Sequence, residues 1–325
     1  MAISDLAGLS EPLKRLIEVI SSGIGKVYQP YLIRKTADAK AYEIKIISDA
    51  IAASQQTLPH SQYTDGKVTL SSTDKLPTNS PSLLSRASVR LEYQNQRQQQ
   101  NIEAVCAHAA TELAKEQSVP EIKPDSEWVS RFINIASDVS TETVQDLWGR
   151  ILAGEIKQPG SFSLRTLEVL RNLSRKEAES FERLASYCLC VGSQVFFIDP
   201  NAYIFKKEGG LTFTDILALK DAGIVSANEA GFSVEPSPAG VTQQFLYGPL
   251  ILLIERESDT PKLHSNVGVL TRVGMELLPL LTITPDMDYV SLIQKQFHAD
   301  GVKFAWAVVI QNSGDQIRYA NKIYL

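Results

Sequence analysis

Histidine and cysteine are scarce, four and three in 325 residues. That leaves little material for a metal centre or thiol chemistry. Cys106, Cys188 and Cys190 are odd in number, and the C-x-C of the last two suits neither a tight disulfide nor a zinc knuckle. All three read as reduced, small core or interface residues. Charge of one sign is not in excess either: 32 Lys and Arg against 37 Asp and Glu leave a net −5. That balance is too acidic for a generic nucleic-acid or membrane binder. Long apolar runs are missing as well. The longest, 245–254, is about half of the roughly 20 residues a helix needs to cross a bilayer. Its β-branched and aromatic content reads as buried strand. With no basic-then-apolar leader at the N-terminus, a cytoplasmic location is expected.

Catalytic motifs are absent too. No Ser occupies a G-x-S-x-G elbow and no H-E-x-x-H occurs. Gly23-Ile24-Gly25-Lys26 has the look of a phosphate loop. However, helical sequence precedes it, the Gly-to-Gly spacing is short, and Val27 stands where a hydroxyl should meet magnesium. His60, His108, His264 and His298 lack a second ligand at metal-binding spacing. The expectation is therefore no enzyme, no catalytic residue, no metal and no cofactor.

What is present is mostly helical pattern. Residues 1–56 read as an N-terminal helical arm. Leu13, Leu16, Ile17 and Ile20 share one face after Ser10-Glu11-Pro12, and a second helix is expected over about 30–55. Residues 57–82, rich in Ser, Thr, Pro and Asp, read as a flexible linker with one short strand near 67–70. Residues 83–190 read as a long helix with a polar middle, followed by a helical bundle. In the bundle Trp128, Phe132 and Ile135 form one stripe, and Ser174 and Glu177 form a capping box. Residues 191–325 read as an α+β domain ending in a hairpin. The whole chain is expected to be mainly α, with this smaller C-terminal domain winged-helix-like. That character rests on Leu217–Val225 and on Leu270-Thr271-Arg272-Val273-Gly274, which resemble the recognition helix and following helix of multiple-antibiotic-resistance type regulators. Residues 191–325 carry 10 Lys and Arg against 14 Asp and Glu. A DNA-binding role, which needs phosphate neutralisation, is therefore disfavoured against protein interaction.

The most distinctive block is Leu147-Trp148-Gly149-Arg150-Ile151-Leu152-Ala153-Gly154-Glu155-Ile156, then Pro159-Gly160, then Leu164-Arg165-Thr166-Leu167 and Leu170-Arg171-Asn172-Leu173-Ser174. It resembles an uncharacterised bacterial family, domain-of-unknown-function family 2806, and is more distantly similar to alpha-type abortive-infection proteins. The second resemblance implies bacterial defence against phage. Neither supplies catalytic residues to carry over.

Trp148, Arg150, Arg165 and Arg171 are the candidate binding residues. The arginines, with Glu155 and Glu168, form either an ion-pair network or a small anionic-ligand site. Lys14, Arg15, Lys26, Arg34 and Lys35 make 13–40 a basic amphipathic stretch. It is open to a membrane-surface reading and to the plainer one of a solvated helix face. The functional expectation is an interaction or sensor protein acting by protein recognition and self-association. A nucleic-acid-binding regulator and a membrane-perturbing effector are the alternatives.

Overall fold

The computed structural model describes residues 9–24, 61–64, 67–70, 83–228, 230–234, 242–256, 262–299, 301–312 and 316–325. The chain divides into two compact units, Met1–Gly160 and Ser161–Leu325.

In the first unit, α1 spans Glu11–Ile24 and a short antiparallel pair joins β1 (Ser61–Thr64) to β2 (Lys67–Leu70). The helices α2 (Leu83–Leu113), α3 (Ser126–Ala136) and α4 (Glu142–Lys157) follow. Asp125 starts α3, its carboxylate accepting from the N–H groups of Glu127 and Trp128 at 2.9 and 3.0 Å. These are donors a helix cannot satisfy internally. The expected apolar stripe is buried, with the Trp128 and Phe132 rings stacked at 5.1 Å and Phe132 tilted against Trp148 at 5.5 Å. On α4 the buried line is Trp148, Ile151, Leu152 and Ile156, while Leu147 is half-buried and Val144 exposed. Gly149 lets α4 approach α2 closely: a Cβ there would lie 2.4 Å from His108 Cβ and 2.9 Å from the Ala109 nitrogen. Two buried amides beside this seam are satisfied by the backbone of the α3–α4 connection. Buried Asn101 donates to Ser137 O at 2.7 Å, and buried Gln145 donates to Val139 O at 2.9 Å.

The second unit begins with α5 (Leu164–Asn172) and α6 (Arg175–Ala185), both of which the sequence grouped with the bundle. The capping box of Ser174 and Glu177 opens α6 as expected. The helix stops at Ala185, though, and the C-x-C lies in a strand, β3 (Cys188–Val191). There follow β4 (Gln194–Phe197), a 3-10 turn at Pro200–Ala202 leading into α7 (Tyr203–Lys206), and α8 (Phe213–Asp221). Next come β5 (Ala230–Val234), β6 (Thr242–Tyr247), β7 (Leu250–Arg256) and β8 (Leu263–Val269). The last elements are α9 (Arg272–Leu277), α10 (Met287–Gln296), β9 (Val302–Asn312) and β10 (Ile317–Tyr324). Strands β3 to β10 form one eight-stranded antiparallel sheet in the order β10-β9-β7-β6-β3-β4-β8-β5.

This sheet overturns the expectation of a mainly α chain with a winged-helix-like domain. Helices and sheet are both substantial. The strands between the two stretches read as winged-helix-like are parts of a sheet that also includes β3, β4, β9 and β10. The would-be reading helix α8 is short and buries Ile216 and Leu219 in the main core. A hairpin at Gly248-Pro249 splits the run 244–257 into β6 and β7, pairing Tyr247 with Leu250. Gly248 supplies the positive φ (55°) that the turn requires. Strand β7 is central and buried on both faces, which is why Leu250-Ile251-Leu252-Leu253-Ile254 is a continuous apolar run. The outer edge strand β10 is irregular, with register shifts after Arg318 and Ala320 and Asn321 at φ 58°. Such bulges discourage edge-to-edge pairing.

Candidate functional site

The structure separates the residues singled out from the sequence. Trp148 is 1% exposed and belongs to the core of the first unit. Arg150 is half-buried on α4 and pairs with Asp146 one turn earlier, at 3.1 Å. Glu155 is buried and accepts from the Gly160 N–H at 2.7 Å. Arg165 and Arg171 are exposed on α5, in the second unit. Arg165 lines a shallow cavity of about 340 Å³ beside Glu168, Asn172, Glu177 and Asp221. On α1, Lys14 is half-buried and Arg15 pairs with Glu18 at 3.2 Å, while Lys123 reaches the same carboxylate at 3.0 Å. The apolar face of that helix, with Leu16, Ile17, Val19 and Ile20 at most 4% exposed, is turned inward, and α1 packs on α3. Lys26, Arg34, Lys35 and the helix expected over 30–55 lie outside the described residues, as does most of 57–82. No described helix is long and apolar enough to cross a membrane.

Two features do stand out. The first is α2, whose lower half, from Asn101 to Leu113, packs into the bundle. Residues 83–100, about 27 Å of helix at 1.5 Å per residue, are exposed apart from half-buried Ala87. Arg97 donating to Ser140 Oγ at 3.2 Å is a contact made just above the buried part. Apolar side chains stand in water along this stretch: Leu84 is 79% exposed, Leu91 52%, Val89 66% and Tyr93 65%. By helical spacing Leu84, Ala87 and Leu91 continue the stripe that Ile102, Val105 and Ala109 bury lower down, and Arg86, Arg90 and Arg97 share a different stripe.

The second is a polar cluster in the second unit, built by four tyrosines from four segments. Tyr289 on α10 is fully buried; its hydroxyl accepts from Ile198 N–H at 3.1 Å and donates to Ile198 O at 2.8 Å. The Tyr187 ring meets it edge-on at 5.1 Å and the Tyr203 ring stacks on it at 6.3 Å. Tyr247 on β6 donates to Ser186 O at 2.6 Å and accepts from Asp286 N–H at 2.8 Å. Asp286 is the hub. One of its oxygens caps α10, accepting from Asp288 and Tyr289 N–H, and the other takes Tyr203 OH at 3.1 Å and the Lys207 ammonium. Burial works to raise the Asp286 pKa, but these donors outweigh it and hold the carboxyl below the usual range. The same pair raises Lys207, chiefly through its hydrogen bond to Asp286. Burial dominates the upward shifts of Tyr187, Tyr247 and Tyr289, which remain phenols. Asn201 and Ala202, at φ 57° and 56°, hold the backbone just before Tyr203 in the left-handed region. Each costs on the order of 1–3 kcal/mol. Burial likewise raises the thiol pKa of Cys188 and Cys190, the direction that disfavours the reactive thiolate.

Sequence reasoning missed the cluster. Tyr187 and Tyr289 are a hundred positions apart, and no spacing rule links them. Among the described residues no group of three or more His, Cys, Asp or Glu side chains could hold a metal ion.

No curated protein and no solved structure matches the chain, so the distant similarity to abortive-infection proteins gains no support there. A family model does match, over residues 85–294, which is more than half of the chain and runs from the exposed part of α2 to α10. The chain belongs to the family described as a protein of unknown function, DUF2806.

Proposed function

We propose that this chain is a non-enzymatic interaction or sensor protein, and that it works by recognition and self-association through the exposed half of α2. The observation that carries the reading is the apolar stripe of Leu84 and Leu91, left in water on a helix whose lower half uses the same stripe for packing. Covering a leucine is worth roughly 1.5–3 kcal/mol, so the stretch gains from a partner. Arg86, Arg90 and Arg97 lie off that stripe, which spares two joined copies a direct opposition of like charges. On the resemblance to abortive-infection proteins, we assign this recognition to bacterial defence. A membrane-perturbing role finds less support, because the described part of the basic stretch spends its apolar face on α3.

The test is analytical ultracentrifugation of the full chain beside Leu84→Glu with Leu91→Glu. Both positions are exposed, so circular dichroism and melting should be unchanged. The expected result is concentration-dependent association in the parent that the double variant loses. A parent that stays monomeric over the micromolar range, or one whose association survives the substitutions, refutes the reading.

A further inference from the structure

The exposed half of α2 ends where the bundle begins, and that junction restricts how a second copy can lie along it. From Asn101 to Leu113 the helix buries Ile102, Val105, Cys106 and Ala109 within its own unit. Helix α4 stands over part of this face: a Cβ at Gly149 would meet His108, Ala109 and Val105 at 2.4 to 3.0 Å. Helices α1 and α3 pack on α2 as well. By helical spacing Leu84, Ala87 and Leu91 project from the same side as that buried face. The free stripe and the bundle are thus in line on one side of one helix.

Leu84 and Leu91 stand seven residues apart with Ala87 between them, the a, a and d positions of a two-helix seam. Gln94 is the next d position and Gln98 the next a. Exposed Arg90 borders one flank of the stripe and exposed Glu92 the other. Laid parallel, at any register, a second copy would run its own α2 on past Gln98 into the space that α4 and its neighbours fill. An interior packed as closely as a crystal admits no further helix. Charge favours the parallel arrangement, because it sets the Arg90 flank of one copy beside the Glu92 flank of the other. Laid antiparallel, the second copy places its bundle past Leu83 of the first, where no part of the first bundle stands in line. The two Arg90 side chains then share a flank. Exposed like charges repel weakly and are screened by salt, so the steric effect decides.

We propose that the α2 stripe is covered by a second copy of this chain running antiparallel, with Leu91 of each copy against Ala87 of the other and Leu84 against Gln94. This rests on the self-association assigned above and adds its direction and register. In such a pair a positions face d positions, so two Leu91–Ala87 layers make the apolar centre and a Leu84–Gln94 layer closes each end. Gln98 falls past the start of the second copy's helix, which accounts for a polar residue at that a position.

Disulfide cross-linking of the full chain under mild oxidation reads direction and register, and ultracentrifugation of the same samples before oxidation reads association. Leu84→Cys and Gln94→Cys lie at exposed positions, and cysteine behaves as a small apolar residue, so fold and association should be retained. Antiparallel pairing brings position 84 of one copy to position 94 of the other. It holds 84 from 84, and 94 from 94, about 15 Å apart along the axis, too far for a disulfide, whose Cα atoms lie within about 7 Å. The expected result is a covalent dimer in the mixture of the two variants, with neither variant alone exceeding the parent, whose Cys106, Cys188 and Cys190 set the background. Covalent dimers in each variant alone, with none added by mixing, would show parallel pairing and overturn the proposal while self-association stands. Samples that associate but cross-link in no combination overturn it as well. A parent that stays monomeric removes both the direction and the self-association on which it rests.

Discussion

Gly149→Ala probes the closest helix contact in the first unit. The new methyl carbon would lie 2.4 Å from His108 Cβ, 2.9 Å from the Ala109 nitrogen and 3.0 Å from Val105 O. Ordinary carbon contacts sit near 3.5–4.0 Å, so α2 and α4 must separate by about 1 Å at this point. Two of the three atoms are backbone and cannot rotate away. Separation would loosen Val105, Ala109, Trp148 and Leu152, each at most 1% exposed. Overpacking of this kind costs about 1–3 kcal/mol, and the better helix propensity of alanine returns up to about 1 kcal/mol. Because the obstruction is rigid, the penalty should fall in the upper part of its range, for a net loss of about 2 kcal/mol. For a unit of this size that lowers Tm by roughly 4–8 °C. Differential scanning calorimetry of the full chain reads it directly. A double-mutant cycle localises it: His108→Ala keeps the obstructing Cβ and should leave the penalty in place, whereas His108→Gly should relieve part of it. An unchanged or raised Tm in Gly149→Ala would refute the close approach, leaving propensity as the dominant effect.

Two further expectations concern the second unit. Asp286→Asn keeps a competent N-cap for α10 but removes the charge facing Lys207, and should cost about 1 kcal/mol at pH 7 after allowance for solvent screening. The folded-state pKa of Asp286 is depressed, so its contribution is present above the unfolded value of about 4 and is lost as pH falls through the folded value. Urea unfolding should therefore show a constant gap between parent and variant from pH 5 to 8 that closes below about pH 4. A gap that widens in acid contradicts the assignment. Tyr289→Phe removes a fully buried hydroxyl and strands the Ile198 N–H. The expected loss is about 1–3 kcal/mol, and denaturant midpoints unchanged within error would show that the hydroxyl is not integral to the core.

Local order was legible wherever it is encoded locally. Ser174 and Glu177 announce the start of α6, Gly223 (φ 75°) follows the end of α8, and the C-terminal hairpin pairs the two strand-like runs that flank Asn312-Ser313-Gly314-Asp315. The polar middle of α2 lies in its exposed half, and the apolar residues of its first turns are exposed as well. Errors arose where the partner is distant. Strand β7 pairs with β6 through a two-residue turn and with β9 across some fifty residues. A continuous apolar run carries no record of which strands it will join, so the same stretch read equally well as part of a winged-helix-like domain. Cys188 and Cys190 were grouped with the helical bundle for a related reason: Cys188–Val191 is short and apolar, and only pairing with β4 and β6 makes it a strand.

The candidate sites divide along the same line. The order of the residues alone determined the scarcity of metal ligands and thiol pairs, the absence of the common catalytic motifs, and the amphipathic stripes of the bundle. These depend on composition and on neighbours within a few positions. Only the tertiary structure decided that Trp148 is interior, that Arg150 pairs within its own helix, and that Leu84 and Leu91 remain in water. It alone gathered Tyr187, Tyr203, Tyr247 and Tyr289 around Asp286 and Lys207. Such a gathering depends on contacts across a hundred residues, and those form only once an eight-stranded sheet has chosen its order.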